Sequence, residues 1–391
     1  MRLPAALLAL TVCAWAQPNT LTSKEIAEGW LLLFDGESTF GWTAEGGAKW
    51  RVADGSILAD AGGYGWLRTN TQFADYSLKV DFQTAADGNS GVFLRSAKGK
   101  DPHVSGYELQ IFDAHPKFPT GSILDAGRTN KKLRIDPGKW HTYEVFHVGD
   151  RCLVKLDGKK VLELTDSKSA NGHLGLQFNP NKPVAFRNIK VRPLGLAPLF
   201  NNRNLSGWQE VQPAKAPAEP AIWSVKRGLL HVEKGPGQLE TKTVYDDFIL
   251  QLDIRTNSQD PNFHPNSGVF FRGTPNGYWT GYEIQIRNEF KDGDRTKPVD
   301  TGSGGIYFHQ PARRVVGSDN QFYTQTIVAQ GRHIATWVNG YPVANWEDPY
   351  PEGTSPRNKQ ALLKPGPISL QAHDPKTNLD FRNIRIKSLK R

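Results

Sequence analysis

Sulfur is nearly absent from this sequence: 391 residues contain two cysteines and one methionine. Cys13 falls in a short apolar leader, so removal of that leader leaves only Cys152. That excludes an intrachain disulfide, and stability must come from packing. Long apolar runs are missing as well. The run over residues 3–12 is too short to anchor a chain across a bilayer, which takes about 20 residues, and no later stretch is apolar enough, so no membrane span is expected. With Arg2 before it and Ala14-Trp15-Ala16 after it, the run has the form of a secretory signal peptide over residues 1–16. This predicts a soluble protein, secreted or periplasmic, cleaved near Ala16; a lipoprotein reading through Cys13 lacks the small residues such a site needs, because Leu10-Thr11-Val12 precedes it.

Metal and nucleotide motifs are absent too. No CxxC, HExxH or EF-hand spacing occurs, so no cofactor is demanded, and a divalent metal ion could be held only by ligands assembled in space. Gly302, Gly304 and Gly305 do not lead from a strand into a helix, which argues against a nucleotide loop. The net charge of +9 includes Arg2, leaving 9 − 1 = +8 behind the leader. Those basic residues are scattered without interleaved aromatics, the pattern of a solvated surface and not of a nucleic-acid partner. Helix signals are scarce: Thr22 and Glu25 have capping-box spacing, and that run ends at Gly29.

What is present is glycine, proline and alternation. Residues 76–82 alternate Tyr, Leu, Val and Phe with Ser, Lys and Asp, a half-buried strand. Asp54-Gly55 reads as a hairpin turn. One device occurs twice: N-S-G-V-F-L-R at 89–95 with G-Y-E-L-Q-I at 106–111, and N-S-G-V-F-F-R at 266–272 with G-Y-E-I-Q-I at 281–286. Leu33-Phe34 to Gly41-Trp42 is echoed by Leu199-Phe200 to Gly207-Trp208, and Phe186-Arg187-Asn188-Ile189 by Phe381-Arg382-Asn383-Ile384. Many short strands, frequent turns and almost no helix predict an all-β chain of two tandem β-sandwich domains, a jelly roll being the natural form, over 17–194 and 195–391. The short connector at 194–198 predicts that they pack together. Longer loops at 257–265, 289–300 and 341–365 distinguish the second copy.

Alternation places Glu283 and Gln285, and Glu108 and Gln110, on the face turned away from the core, where an open sheet surface or a site would both put polar residues. Arg272 and Arg95 are expected to share a strand face with Phe270 and Phe93, giving an aromatic floor with a guanidinium over it, unless their stems only cover apolar surface. Gln371 and His373 alternate with Leu370 and Ala372. His373 could serve as base or metal ligand, or be an ordinary surface histidine; the first copy has Gln177 and Asn179 there.

These repeated motifs, with Thr120-Gly121-Ser122 and Thr301-Gly302-Ser303 between them, resemble the 3-keto-disaccharide hydrolase domain family in both halves. The resemblance implies a concanavalin or laminin-G type jelly roll, export in bacteria, and a carbohydrate substrate, a glycoside oxidised to a ketone at C3, cleaved by elimination across C1 and C2 followed by hydration. On that reading Glu283 or His373 is the base, Arg272 stabilises the enolate, and Gln285, Gln371, Trp279 and Phe270 hold the sugar. Arg95, Glu108, Gln110, Asp113 and Gln177 form a second candidate site in the first domain, with Asp113 at a family acid position that is Asn288 in the second copy; it could bind a cation or cap a loop. Family members often carry a histidine before Trp-Leu-Asn-Gly, whereas Thr336 precedes Trp337-Val338-Asn339-Gly340 and Val154 precedes Lys155-Leu156-Asp157-Gly158. That departure keeps a non-catalytic carbohydrate-binding protein of the same fold as the alternative, and a structural domain as a third.

Overall fold

The computed structural model describes residues 17–99, 101–131, 133–215, 217–355 and 363–389. The expected leader at 1–16 lies outside them, as does 356–362 of the third long loop. The helix Ser23–Glu28 has the reciprocal Thr22 and Glu25 capping box and ends on Gly29 in a left-handed conformation, φ 83°; a capping box satisfies two of the orphan amides at a helix start. Everything after it is organised by antiparallel strands.

In the first unit a single sheet, eleven-stranded among the described residues, curls on itself. The strand that joins its two layers is Ser56–Phe73, whose first part pairs with Val184–Pro193 and whose second part pairs with Gly172–Phe178. The second unit breaks the corresponding stretch in two. Leu229–Glu233 stays in an eight-stranded sheet, Gly237–Tyr245 enters a separate five-stranded one, and Lys234 with φ 64° turns the chain between them. The five-stranded sheet runs in the order Trp208–Val211, Gly237–Tyr245, Gly366–Ala372, Ser267–Phe271, Tyr282–Ile286. Its inner face, with Leu239, Leu370, Val269 and Ile284, is buried in the core of that unit. A period of two then sends Gln238, Gln371, Glu240, Glu283 and Gln285 to the other face.

Two sequence expectations change here. The region 341–365 is not all loop, because Tyr341–Glu347 is a strand paired with His333–Val338. The hairpin about Asp54-Gly55 is far longer than its turn suggests, extending through Trp42–Ala53 and Ser56–Phe73; glycine and alanine in 44–65 remove the alternation that would have shown it.

The two units meet face to face. Ile249, Val328, Ala335 and Trp337 of the second unit join the apolar cluster of the first. Around them Trp337 Nε1 donates to the Leu32 carbonyl at 2.9 Å, and the Gln330 amide makes a two-way pair with the Gln72 backbone at 2.9 and 2.7 Å. Lys387 reaches Asp75 at 2.6 Å. The connector Ala197–Pro198 pairs with Asn378–Ser388, so it is part of a sheet and not a free tether.

Candidate functional site

The polar face of the five-stranded sheet is the place where the second unit gathers its chemistry. Strand register puts Gln238, Gln371, Gly268 and Gln285 in one row and Glu240, Ser369, Phe270 and Glu283 in the next. A strap formed by residues 300–307 lies along the outer edge: Gln285 N donates to Gly305 O and Tyr307 N to Glu283 O, both at 2.9 Å, around an Ile284 and Ile306 bridge. Since Ile284 and Ile306 are buried in the core, Tyr307 stands beside Glu283 on the polar face. Thr336, in place of the expected histidine, ties this strap down by donating to the Gly304 carbonyl at 2.6 Å.

That face is not open to solvent as alternation predicts. The 273–280 loop folds over it, with Trp279 N donating to Gln238 Oε1 at 2.5 Å, Asn276 N to Glu240 Oε1 at 3.0 Å, and the Trp279 indole N–H to Glu283 Oε2 at 3.3 Å. Glu283 is 4% exposed as a result. Burial pushes its carboxyl up to about 8; the Trp279 hydrogen bond opposes this and the charge of Asp300 adds to it. Space for the carboxyl comes from Gly268 on the neighbouring strand, where a Cβ would lie 2.8 Å from Glu283 Cγ and 2.9 Å from its Cδ. The glycine of the repeated N-S-G-V-F motif therefore marks a close approach.

Gln371, 3% exposed, has a buried Oε1 with no hydrogen-bond partner. A buried polar atom left in that state costs stability and calls for an explanation, such as a ligand group that completes it. Gln285 is fully committed: its Oε1 accepts from Thr301 N at 2.8 Å, and its amide N–H groups reach Asn266 and Asp300. It shapes the strap more than it offers itself to a substrate.

The first unit repeats the device with different neighbours. Glu108 lies over Gly91 and accepts from Gln177 Nε2 at 2.8 Å; Asn179 Nδ2 holds Gln177 Oε1 at 2.8 Å. Burial raises the Glu108 carboxyl to about 7, against the pull of Gln177. Gln110 Oε1 is buried without a partner. Asp113 accepts from Ile135 N at 2.9 Å, the contact of a loop cap. Among the described residues no three His, Cys, Asp or Glu side chains are grouped as a metal site requires.

Two expected residues are elsewhere. Arg272 and Arg95 do not stand over Phe270 and Phe93, because each has a left-handed backbone, φ 55° and 51°, which ends the alternation one residue too soon for them to share that face. Both are fully buried clasps between turns. Arg272 binds Asp247 at 2.6 Å and the carbonyls of Asp246 and Gly331; Arg95 binds Asp75 at 3.2 Å and the carbonyls of Ala74, Gly149 and Ser169. Neither is placed to stabilise an enolate. His373 lies beyond the end of Gly366–Ala372, half exposed, with Nδ1 paired to its neighbour Asp374 at 2.8 Å.

Sequence reading missed Asp300 and Tyr307. Asp300 reaches Gln285 at 3.3 Å and Arg287 at 3.1 Å. The signal was a difference between the copies: Pro119 precedes the first Thr-Gly-Ser where Asp300 precedes the second. A cleft of about 520 Å³ lies apart from this chemistry, between the units, and is lined in part by Gln72, Asn171, Gln330 and Arg332.

The tandem jelly roll sets a buried acid under an aromatic loop, and its sequence relatives make it a carbohydrate-active, glycosyl hydrolase-like protein. The 3-keto-alpha-glucoside-1,2-lyase-like domain matches residues 29–192 and again 195–387, and the chain belongs to that family. A 3-keto-disaccharide hydrolase of Bacteroides thetaiotaomicron is 26% identical over an alignment of 131 residues that covers 27% of this chain and 45% of that protein, so the chain spans less than half the length of that relative. Among solved structures, a proposed glycosyl hydrolase from Parabacteroides distasonis is 24% identical with a TM-score of 0.42, covering 46% of this chain and 100% of its own. A carbohydrate binding module from Bacillus subtilis is 22% identical with a TM-score of 0.32, covering 38% and 94%.

Proposed function

We propose that the second unit cleaves 3-keto-glycosides, with Glu283 as the acid–base group. The observation that carries this reading is a buried carboxyl raised to about 8 beside an unpartnered Gln371 amide oxygen. A ketone at C3 acidifies the C2 hydrogen. Glu283 takes that proton, the C2–H electrons form the C1–C2 double bond, and the C1–O bond breaks with its electrons on the leaving oxygen. The same carboxyl returns the proton to that oxygen. Hydration then adds water across C1 and C2, giving 3-ketoglucose and the free alcohol with no net proton change. One group near neutrality can serve in both directions, which is why no second carboxylate is needed. Gln371 accepts a hydrogen bond from a sugar hydroxyl and Phe270 lines the floor.

The test is release of 3-ketoglucose from a 3-keto-disaccharide, with and without a chelator. Wild type should release it and folded Glu283→Gln should not; no release by wild type under either condition sinks the reading. A binding role is the second reading, favoured by Thr336 where family members often have histidine and by the Trp279 loop lying over the acid. Retardation by unmodified polysaccharide in affinity electrophoresis, without products, would select it. We also infer export with cleavage after Ala16, supported by the leader pattern, and an intact mass beginning at Gln17 is its test.

A further inference from the structure

We propose that Trp279 and Tyr307, with Phe308 packed on Tyr307, form an aromatic clamp for the leaving group. The second unit would then select glycosides whose leaving group presents a flat ring, a pyranose or an aryl group, over those with a small alkyl group. This rests on the catalytic reading of Glu283 given above.

The placement follows from the strands. Tyr307 is paired beside Glu283 by the strap, and Trp279 is fixed beside the same carboxyl by its indole N–H. Phe308, held at φ 66°, has its ring centroid 4.1 Å from that of Tyr307. Trp279 is 51% exposed and Phe308 41%, so neither ring is there to fill the core; exposed aromatic surface rimmed by polar groups is characteristic of ligand sites. Asp300 and Arg287 supply that polar rim. The indole N–H is committed to Glu283, which leaves the ring faces for stacking.

Which part of the substrate they meet follows from the chemistry. The oxidised ring must bring C2–H and C1–O down to the buried carboxyl, so the group attached through that oxygen projects outward to the rings. Copy one lacks the device. Leu124 and Asp125 occupy the positions of Tyr307 and Phe308, since Leu124 N donates to Glu108 O as Tyr307 N does to Glu283 O, and residues 97–105 contain no Trp, Tyr or Phe. The first copy instead sets a single exposed ring, Tyr64, beside Glu108 and Gln177, so the three-ring arrangement belongs to the second copy.

The experiment compares kcat/KM for a 3-keto-disaccharide, an aryl 3-keto-glucoside and a methyl 3-keto-glucoside, in wild type, Tyr307→Ala, Phe308→Ala and Tyr307→Phe. Wild type should favour both ring-bearing substrates. Each alanine variant should reduce the ring-to-methyl ratio about three- to ten-fold, mainly through KM, as loss of an aromatic contact would, and Tyr307→Phe should keep the ratio. Phe308→Ala, at an exposed position, carries the test if Tyr307→Ala does not fold. Equal wild-type efficiency on all three substrates, or a ratio unmoved by the alanine variants, overturns the clamp while leaving cleavage intact; no cleavage of any substrate removes the reading beneath it.

Discussion

Burial makes Glu283 hold its proton, and this has a consequence for stability. Its folded value of about 8 lies above the ordinary 4.5, so the folded chain holds the proton more tightly than the unfolded one. The stability this contributes is complete below about pH 4.5 and is lost as pH rises through about 8. Glu283→Gln should therefore melt higher than wild type at pH 8, with the gain shrinking toward pH 5, as calorimetry at the two pH values would read. Arg272 is the opposite case. Removing its guanidinium leaves Asp247 without its 2.6 Å partner, and Arg272→Ala should lose about 3–5 kcal/mol in denaturant titration, an effect on folding and not on the chemical step. Of these residues the sequence makes Glu283 legible, because alternation with Tyr282, Ile284 and Ile286 assigns its face. Arg272 was misread because nothing in N-S-G-V-F-F-R announces a left-handed residue at its end.

The strands set what can approach what. Gly268 and Glu283 sit on adjacent strands, and the carboxyl occupies the space where a side chain on Gly268 would go. Gly268→Ala should displace it and lower kcat at least about ten-fold, the effect expected of an ångström-scale misplacement, with a melting temperature that falls less than that of Arg272→Ala. Steady-state kinetics beside a thermal melt would show the split. At this scale Tyr76–Thr84 and Phe248–Thr256 are readable because their inward side chains are large and regular. The strap is not, since residues 300–305 carry no periodicity and acquire their place by bonding to Tyr282–Ile286 and to Thr336. The covered polar face was illegible for the same reason: the 273–280 loop lies over it through contacts distant in sequence.

Across the whole molecule the joint between the units contains two buried histidines. His333 Nε2 lies 3.1 Å from Thr71 Oγ1, and His173 Nδ1 lies 2.7 Å from Thr69 O. Arg68, Lys98 and Glu45 face this pair from the first unit, and Glu347 faces His333 at 3.7 Å. Burial, helped by the positive neighbours, lowers both to about 4. Their contribution is fully present above about pH 6.5 and is lost as pH falls through about 4, because the unfolded chain binds the protons more readily. Melting temperature should decline over that window, and less steeply in His333→Gln. The duplication itself was legible from the repeated motifs. How the copies meet was not, because Trp337, Ile249 and Val328 look like core residues of one unit whichever neighbour buries them.

Cleavage of a 3-keto-disaccharide in deuterated water, followed by NMR at C2 of the released 3-ketoglucose at times too short for spontaneous exchange, tests the proposed chemistry most directly. Proton removal by Glu283 predicts deuterium at C2 with wild type and with Glu108→Gln, and no release with Glu283→Gln. Product that keeps its original hydrogen at C2, or release that survives Glu283→Gln, would contradict it.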